Sequence, residues 1–341
     1  MTTKPVSRSQ PAETLGAPMM KAVGVTRYGG PEALELVEVP RPRTGPKQIR
    51  IRVHAATVNP GDFVLRNGEL DEVLKAGPLT PPYIPGMEAA GVVDEIGPEA
   101  TTDLQVGDKV MAIVMPIDAT GGAYAEYLVL DPDQTTRIPV GATFAEAATL
   151  PMSGLTARRA LDLLALDASA SIAVIGAAGA VGGYAVQLAK ADGLRVIADA
   201  AAADETLVAS LGADQIVARG PEVAQRILQW WPAGVDAAID TVSRGEEIAA
   251  AVRDGGQVAV VPVPHNGVSA PIDLGRGITV PQVWVPEYTH AHDKLDALRV
   301  LADNGQLLLR VARTYPAAQA AQAHRALAAG GVRGRLVLVF D

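Results

Sequence analysis

Ser171-Ile172-Ala173-Val174-Ile175-Gly176-Ala177-Ala178-Gly179-Ala180-Val181-Gly182 is the stretch whose reading decides the fold. An apolar run of strand length enters a glycine turn and leaves it as a run of small residues, suited to a helix that packs closely on a sheet. Strand, turn and helix in that order offer backbone N–H groups, and the positive end of a helix dipole, to a pyrophosphate. Gly176, Ala177, Ala178, Gly179, Ala180 and Val181 are therefore candidate dinucleotide-binding residues. Glycine spacing alone is a weak signal, and the weight lies in its setting.

That setting is a repeated alternation. After the helix expected over Ala180–Ala191 come a strand at Arg195–Ala198, a helix at Asp204–Leu211 and a strand at Gln215–Val217. A helix at Glu222–Trp230 and strands at Val235–Ile239 and Gln257–Val261 follow. Such a series builds a right-handed, doubly wound parallel sheet. Val283–Val285 is expected to add a strand and His290–Leu301 a helix. Upstream of about Gly141 the rhythm is β-rich: Ile49, Ile51 and Val53 alternate with Arg50, Arg52 and His54, and Gly, Pro and Asp punctuate short apolar runs. The ending, a helix over Pro316–Ala328 and a strand from Gly334, returns to that first style.

Composition narrows the chemistry. The 341 residues suit two domains. The formal charge of −9 leaves no basic surplus for a nucleic-acid partner. Cysteine is absent, which excludes disulfides, thiolate catalysis and every zinc site that needs a thiolate. No apolar run is long enough for a membrane span. Residues 1–18 read as a flexible tail without a signal-peptide core, so a cytoplasmic location is expected.

At the end of the second strand, Asp199 is placed to accept hydrogen bonds from a ribose, which favours NAD, or simply to cap the strand. Ala200 leaves room for a 2′-phosphate instead, with Arg219 as its counter-charge. His290 and His292 read as surface histidines at a helix cap rather than a metal pair. Trp230 and Trp231 read as packing residues, and Trp284 borders either substrate or a dimer contact.

Tyr28-Gly29-Gly30-Pro31-Glu32, Val58-Asn59-Pro60-Gly61-Asp62, Pro85-Gly86-Met87-Glu88-Ala89-Ala90-Gly91-Val92-Val93, Gly107-Asp108-Lys109-Val110, Gly121-Gly122-Ala123-Tyr124-Ala125-Glu126-Tyr127, Gly154-Leu155-Thr156-Ala157, Gly176–Gly182, Leu211-Gly212-Ala213-Asp214 and Asp240-Thr241-Val242 follow one another along the chain. In order and spacing they resemble the zinc-free quinone oxidoreductases, the zeta-crystallin-like branch of the medium-chain dehydrogenase/reductase superfamily. The resemblance implies an α/β protein: a GroES-like β-rich catalytic domain over 19–141 with 313–341, and a Rossmann doubly wound parallel-sheet cofactor domain over 142–312. It places Asn59, Met87 and Thr149 where zinc-dependent relatives hold a catalytic metal, and none of the three suits that task. No metal is expected.

The same resemblance implies NADPH, with NADH as the alternative, because the position of Ala200 is small in the branch; Asp199, often neutral there, is a departure. It puts the nicotinamide beside Asn59 and Thr156 and adds Val242 to the cofactor site. Asn59, Asp62 and Thr156 are the catalytic candidates, Asp62 more as a brace for the Asn59 loop than as a proton donor. Val64 stands where some relatives keep a tyrosine, and no general acid replaces it; reduction of a quinone tolerates that lack, since its product is a stable anion. The expected activity is zinc-independent, NADPH-dependent hydride transfer to quinones by a homodimer. Enone or enoyl reduction, and a dinucleotide-binding structural or regulatory role without turnover, are the alternatives.

Overall fold

The computed structural model describes residues 18–261 and 273–340. The β-rich part begins with a hairpin of β1 (Met19–Val25) and β2 (Leu34–Pro40). It continues through β3 (Ile49–Thr57), helices α1 (Pro60–Asn67) and α2 (Asp71–Ala76), then β4 (Glu88–Ile96), β5 (Lys109–Ile113), β6 (Tyr127–Leu130) and β7 (Thr135–Arg137). The expected alternation in β3 holds: Ile49, Ile51 and Val53 are buried while Arg50, Arg52 and His54 are not. One edge of β3 pairs with β4 along its length. The other edge is divided, β6 taking Ile49–Arg52 and a strand from the far end of the chain taking Ala55–Thr57.

Short α3 (Phe144–Ala147) and long α4 (Pro151–Leu164) lead into the parallel part. There β8 (Ser171–Ile175), α5 (Ala180–Ala191), β9 (Arg195–Ala200), α6 (Glu205–Ser210), β10 (Gln215–Ala218), α7 (Val223–Trp230), β11 (Val235–Asp240), α8 (Gly245–Ala249) and β12 (Val252–Val260) form one sheet in the order β10-β9-β8-β11-β12, with every pairing parallel. Alternate residues of each strand feed opposite faces. Ile172 and Val174 pack with α4, α5 and α9 (His292–Asp303), whereas Ala173 and Ile175 pack with α7 and α8. This is the doubly wound architecture anticipated.

The chain then returns through β13 (Val311–Pro316), α10 (Ala320–Ala328) and β14 (Arg335–Val339), and β14 joins β3 in the first sheet. Two expectations are corrected. Val283–Val285 is not a strand: the chain makes only isolated parallel bridges to β12 at Thr279 and Gln282, and Val285 opens a 3-10 turn. Pro281 and Pro286 explain this, because neither has an N–H for a ladder. Trp230 does not pack inside; it is 55% exposed at the end of α7, leaving Trp231 to meet the core.

Candidate active site

The parallel strands β8, β9, β11 and β12 all end at one cleft of about 310 Å³, at the point where strand order reverses between β8 and β11. Clefts at such switch points are where open α/β sheets receive ligands. One wall is the glycine turn with the first turn of α5: Gly176, Ala178, Gly179, Ala180, Val181 and Gly182. The facing wall comes from the returning chain, Gly330 to Leu336, and from Val58 and Pro60. Thr241, Val242 and Val261 close one end, and Asp199, Ala200 and Arg219 the other.

The turn is built to admit a diphosphate. Gly176 has φ +83°, a left-handed conformation that disfavours side chains. A Cβ on Gly182 would overlap the Gly176 carbonyl. The leading amides of α5 have no acceptor within their helix and stand at the cleft. Of the six turn residues named from the sequence, Ala177 alone does not line the cleft. Val242, Ala200 and Arg219 are brought together with the turn, and the Arg219 amide donates to Ala200 O at 2.8 Å.

Asp199 lines the cleft and also has a role within the turn. Its Oδ1 accepts the amides of Gly176 at 2.6 Å and Ala177 at 3.3 Å, so the second strand holds the turn that follows the first. Arginine is also supplied where the sequence reading did not place it. Arg333 reaches the cleft from the returning chain and pairs with Asp204 at 2.6 Å. Arg335 lines the same wall. The signal for both is Gly330-Gly331-Val332-Arg333-Gly334-Arg335, a second glycine-rich stretch carrying two cations.

Asn59 and Thr156 are not on the walls of the cleft; both are buried, at 4% and 7% exposure. Asn59 precedes α1, and its amide N–H donates to Asp62 Oδ2 at 2.8 Å. Its side chain joins a buried cluster in which Arg335 donates to Asn59 Oδ1 at 2.6 Å and also contacts Thr57 and Glu88. Glu88 in turn accepts the Met152 amide at 2.6 Å. Arg335 Nε is buried without a hydrogen-bond partner among the described residues. Thr156 sits in the second turn of α4, where its hydroxyl donates to Met152 O at 2.6 Å; it is not a cap.

Asp62 is the brace the sequence suggested. Fully buried, it accepts Asn59 N–H, Gly86 N–H at 2.9 Å and the Tyr124 hydroxyl at 3.0 Å. Burial nevertheless pushes its pKa up to about 6. Tyr124 also meets His324, whose other nitrogen meets Arg66, and burial pulls the His324 pKa down to about 3.

The positions that match a catalytic metal in zinc-dependent relatives do not fit one. Asn59 is bonded to Arg335, Met87 offers only a thioether, and the Thr149 hydroxyl lies against Glu146 O at 2.7 Å and Tyr184 Oη at 2.9 Å. His290 and His292 lie elsewhere, each fastening the cofactor half to the β-rich half: His290 to Asp133 and His292 to Thr135 O, both at 2.8 Å. No helix among the described residues is long and apolar enough to cross a membrane.

Comparison with known proteins agrees with this geometry. The family described as "Alcohol dehydrogenase GroES-like domain" matches residues 45–140, and that described as "Zinc-binding dehydrogenase" matches residues 211–338. The quinone oxidoreductase of Pseudomonas aeruginosa is 30% identical over 343 residues, covering 94% of this chain and 100% of its own. The chloroplastic quinone-oxidoreductase homolog of Spinacia oleracea is 39% identical over 210 residues, 60% of this chain, and the match spans only 62% of that relative's length. Among solved structures, a mycobacterial protein in complex with NADPH is similar with a TM-score of 0.80 at 27% identity, over 94% of this chain and 100% of that one.

Proposed function

The chain belongs to the zinc-free, quinone-oxidoreductase-like branch of the medium-chain dehydrogenase/reductase superfamily, and from that membership we propose that it reduces quinones with a hydride from NADPH, without a metal. The observation that carries the reading is the cleft itself: a glycine turn and helix N-terminus on one side, and on the other the returning chain from Gly330 to Leu336 with Arg333 and Arg335. When bound, NADPH supplies the hydride. The protein's part is to hold the cofactor's diphosphate on the amides of Ala180 and Val181, to exclude water, and to keep Asn59 fixed through Asp62 and Arg335. The proton that completes the hydroquinone comes from solvent.

Preference for the phosphorylated cofactor is supported by Ala200, which leaves space, and by Arg219 beside it, whose guanidinium makes no hydrogen bond to a described residue. Arg333 adds a second cation within the same cleft. Division of the chain into a catalytic unit (19–141 with 313–341) and a cofactor unit (142–312) belongs to this reading, and the pairing of β14 with β3 supports it.

The test is loss of absorbance at 340 nm with NADPH and NADH against a panel of quinones and conjugated enones. Turnover is expected with quinones and NADPH. Arg219→Ala is expected to lower the NADPH/NADH preference in kcat/KM by about 10- to 100-fold, the value of a charge-assisted hydrogen bond. Tight cofactor binding without turnover on any acceptor would sink the enzymatic reading. Turnover confined to enones would replace the substrate class.

A further inference from the structure

Arg310 stands immediately before β13, where the chain leaves the parallel sheet for the β-rich half. Its guanidinium passes behind the glycine turn, on the side away from the cleft: Nη1 donates to Ala178 O at 3.1 Å and Nη2 to Gly179 O at 2.6 Å. Among the described residues it makes no ion pair, and burial pulls its pKa down. It therefore sets a half-buried cation without a counter-ion beside the N-terminus of α5, an end that already carries partial positive charge. Both features oppose the guanidinium unless an anion lies on the far side of the turn.

We propose that Arg310 is a positioning residue for the diphosphate of the cofactor, acting through the backbone of the glycine turn. Its two bonds hold the carbonyls of Ala178 and Gly179 away from the cleft, where they would repel phosphate oxygens, and leave the amides to face it. Its charge adds to theirs. Gly183 is the other half of the device. The position lies one turn into α5, and a Cβ there would run into Arg310 Nη2 rather than into the sheet, so glycine makes room for the guanidinium. Arg310 O also accepts the Arg335 amide at 2.8 Å, which ties the turn to the strand forming the opposite cleft wall.

The proposal rests on the dinucleotide reading, and its test separates the two. Binding of NADPH, of ADP (diphosphate without 2′-phosphate or nicotinamide) and of adenosine 2′-monophosphate is measured by calorimetry on the parent, Arg310→Met, Arg310→Lys, Gly183→Ala and the Arg310→Met/Gly183→Ala double variant. Arg310→Met is expected to weaken ADP and NADPH by about tenfold or more and to leave the 2′-monophosphate unaffected. KM for NADPH should rise with much less change in kcat. Arg310→Lys should recover much of the loss. Gly183→Ala should match Arg310→Met, and the double variant should be no worse than either, because both remove one interaction. Parent-like ADP binding by Arg310→Met, equal weakening of the 2′-monophosphate, or additive losses in the double variant would each overturn it. If Arg310→Met does not fold, Gly183→Ala and Arg310→Lys decide by the same comparison. A parent that binds neither NADPH nor ADP overturns the dinucleotide reading instead.

Discussion

Asp62 and His324 sit on opposite sides of the Tyr124 hydroxyl, and burial moves their protonation in directions that compensate. His324 has an ordinary value of 6.5 and titrates at about 3 in the native state. As pH falls below 6.5 the unfolded chain binds a proton that the native chain does not, and stability is lost. Asp62 is reversed: its native value of about 6 lies above the ordinary 3.8, so below 6 the native state takes up the proton first and stability is gained. Each pH unit of such a difference is worth about 1.4 kcal/mol, so between pH 7 and 5 His324 withdraws about 2 kcal/mol and Asp62 returns most of it. Asp62→Asn is expected to expose the histidine's loss: its stability relative to the parent should fall by about 1 kcal/mol over that range in urea unfolding. His324→Gln should gain relative to the parent. Parallel pH profiles for Asp62→Asn and parent would show that Asp62 does not titrate as described.

At the scale of elements, the glycine turn and α5 depend on their neighbours more than on their own sequence. Asp199 from β9 satisfies the turn's first two amides, and Gly176 closes the turn by accepting the Gly179 amide at 2.9 Å. Gly182 lets α5 start directly above that carbonyl. Gly182→Ala is expected to cost about 1–3 kcal/mol of stability by overpacking. The same shift displaces the phosphate-facing amides, so NADPH affinity should fall while the melting transition stays cooperative. A fluorescence titration beside a thermal melt checks this, and unchanged affinity would show that the turn tolerates a wider helix entry. Element positions were legible where periodicity was strong: helix Ala180–Ala191 appears as expected, and β8 to β11 agree within two residues at either end. Val283–Val285 misled because an apolar triplet between prolines looks like a strand and lacks the donors to pair as one.

At the scale of the molecule, two sets of contacts fix how the halves meet. On one side α9 is fastened to the β-rich half through Thr136 to Asp296 and Val140 N to Asp303, each at 2.7 Å. On the other, beneath the cleft, Glu88 of β4 accepts the Met152 amide of α4 at 2.6 Å and pairs with Arg335 of β14, across 247 positions of sequence. Glu88→Gln leaves the guanidinium buried without its counter-ion, and a loss of about 3–5 kcal/mol in chemical denaturation is expected. Glu88→Met with Arg335→Met should recover much of that stability and none of the activity, since the cation at the cleft is gone. A neutral effect of Glu88→Gln would mean that Thr57 and Asn59 suffice to hold Arg335.

The sequence by itself determined the architecture and the unsuitability of the position at which zinc-dependent relatives hold their metal. Alternation of period two and of helical period specifies which faces are buried, a strand–glycine–helix run specifies an anion-facing turn, and an absent cysteine removes every zinc site that needs a thiolate. The turn residues stood out through their local order, and Asn59 and Asp62 through the family resemblance. Tertiary structure alone decided what surrounds them. Asp199 holds the turn, and Arg333 and Arg335 reach the cleft, with Arg310 behind the turn, from a chain segment that arrives only after the whole parallel sheet is complete. No local pattern encodes that convergence. It follows from β14 closing back onto β3, a pairing made through space by backbone hydrogen bonds common to every residue type.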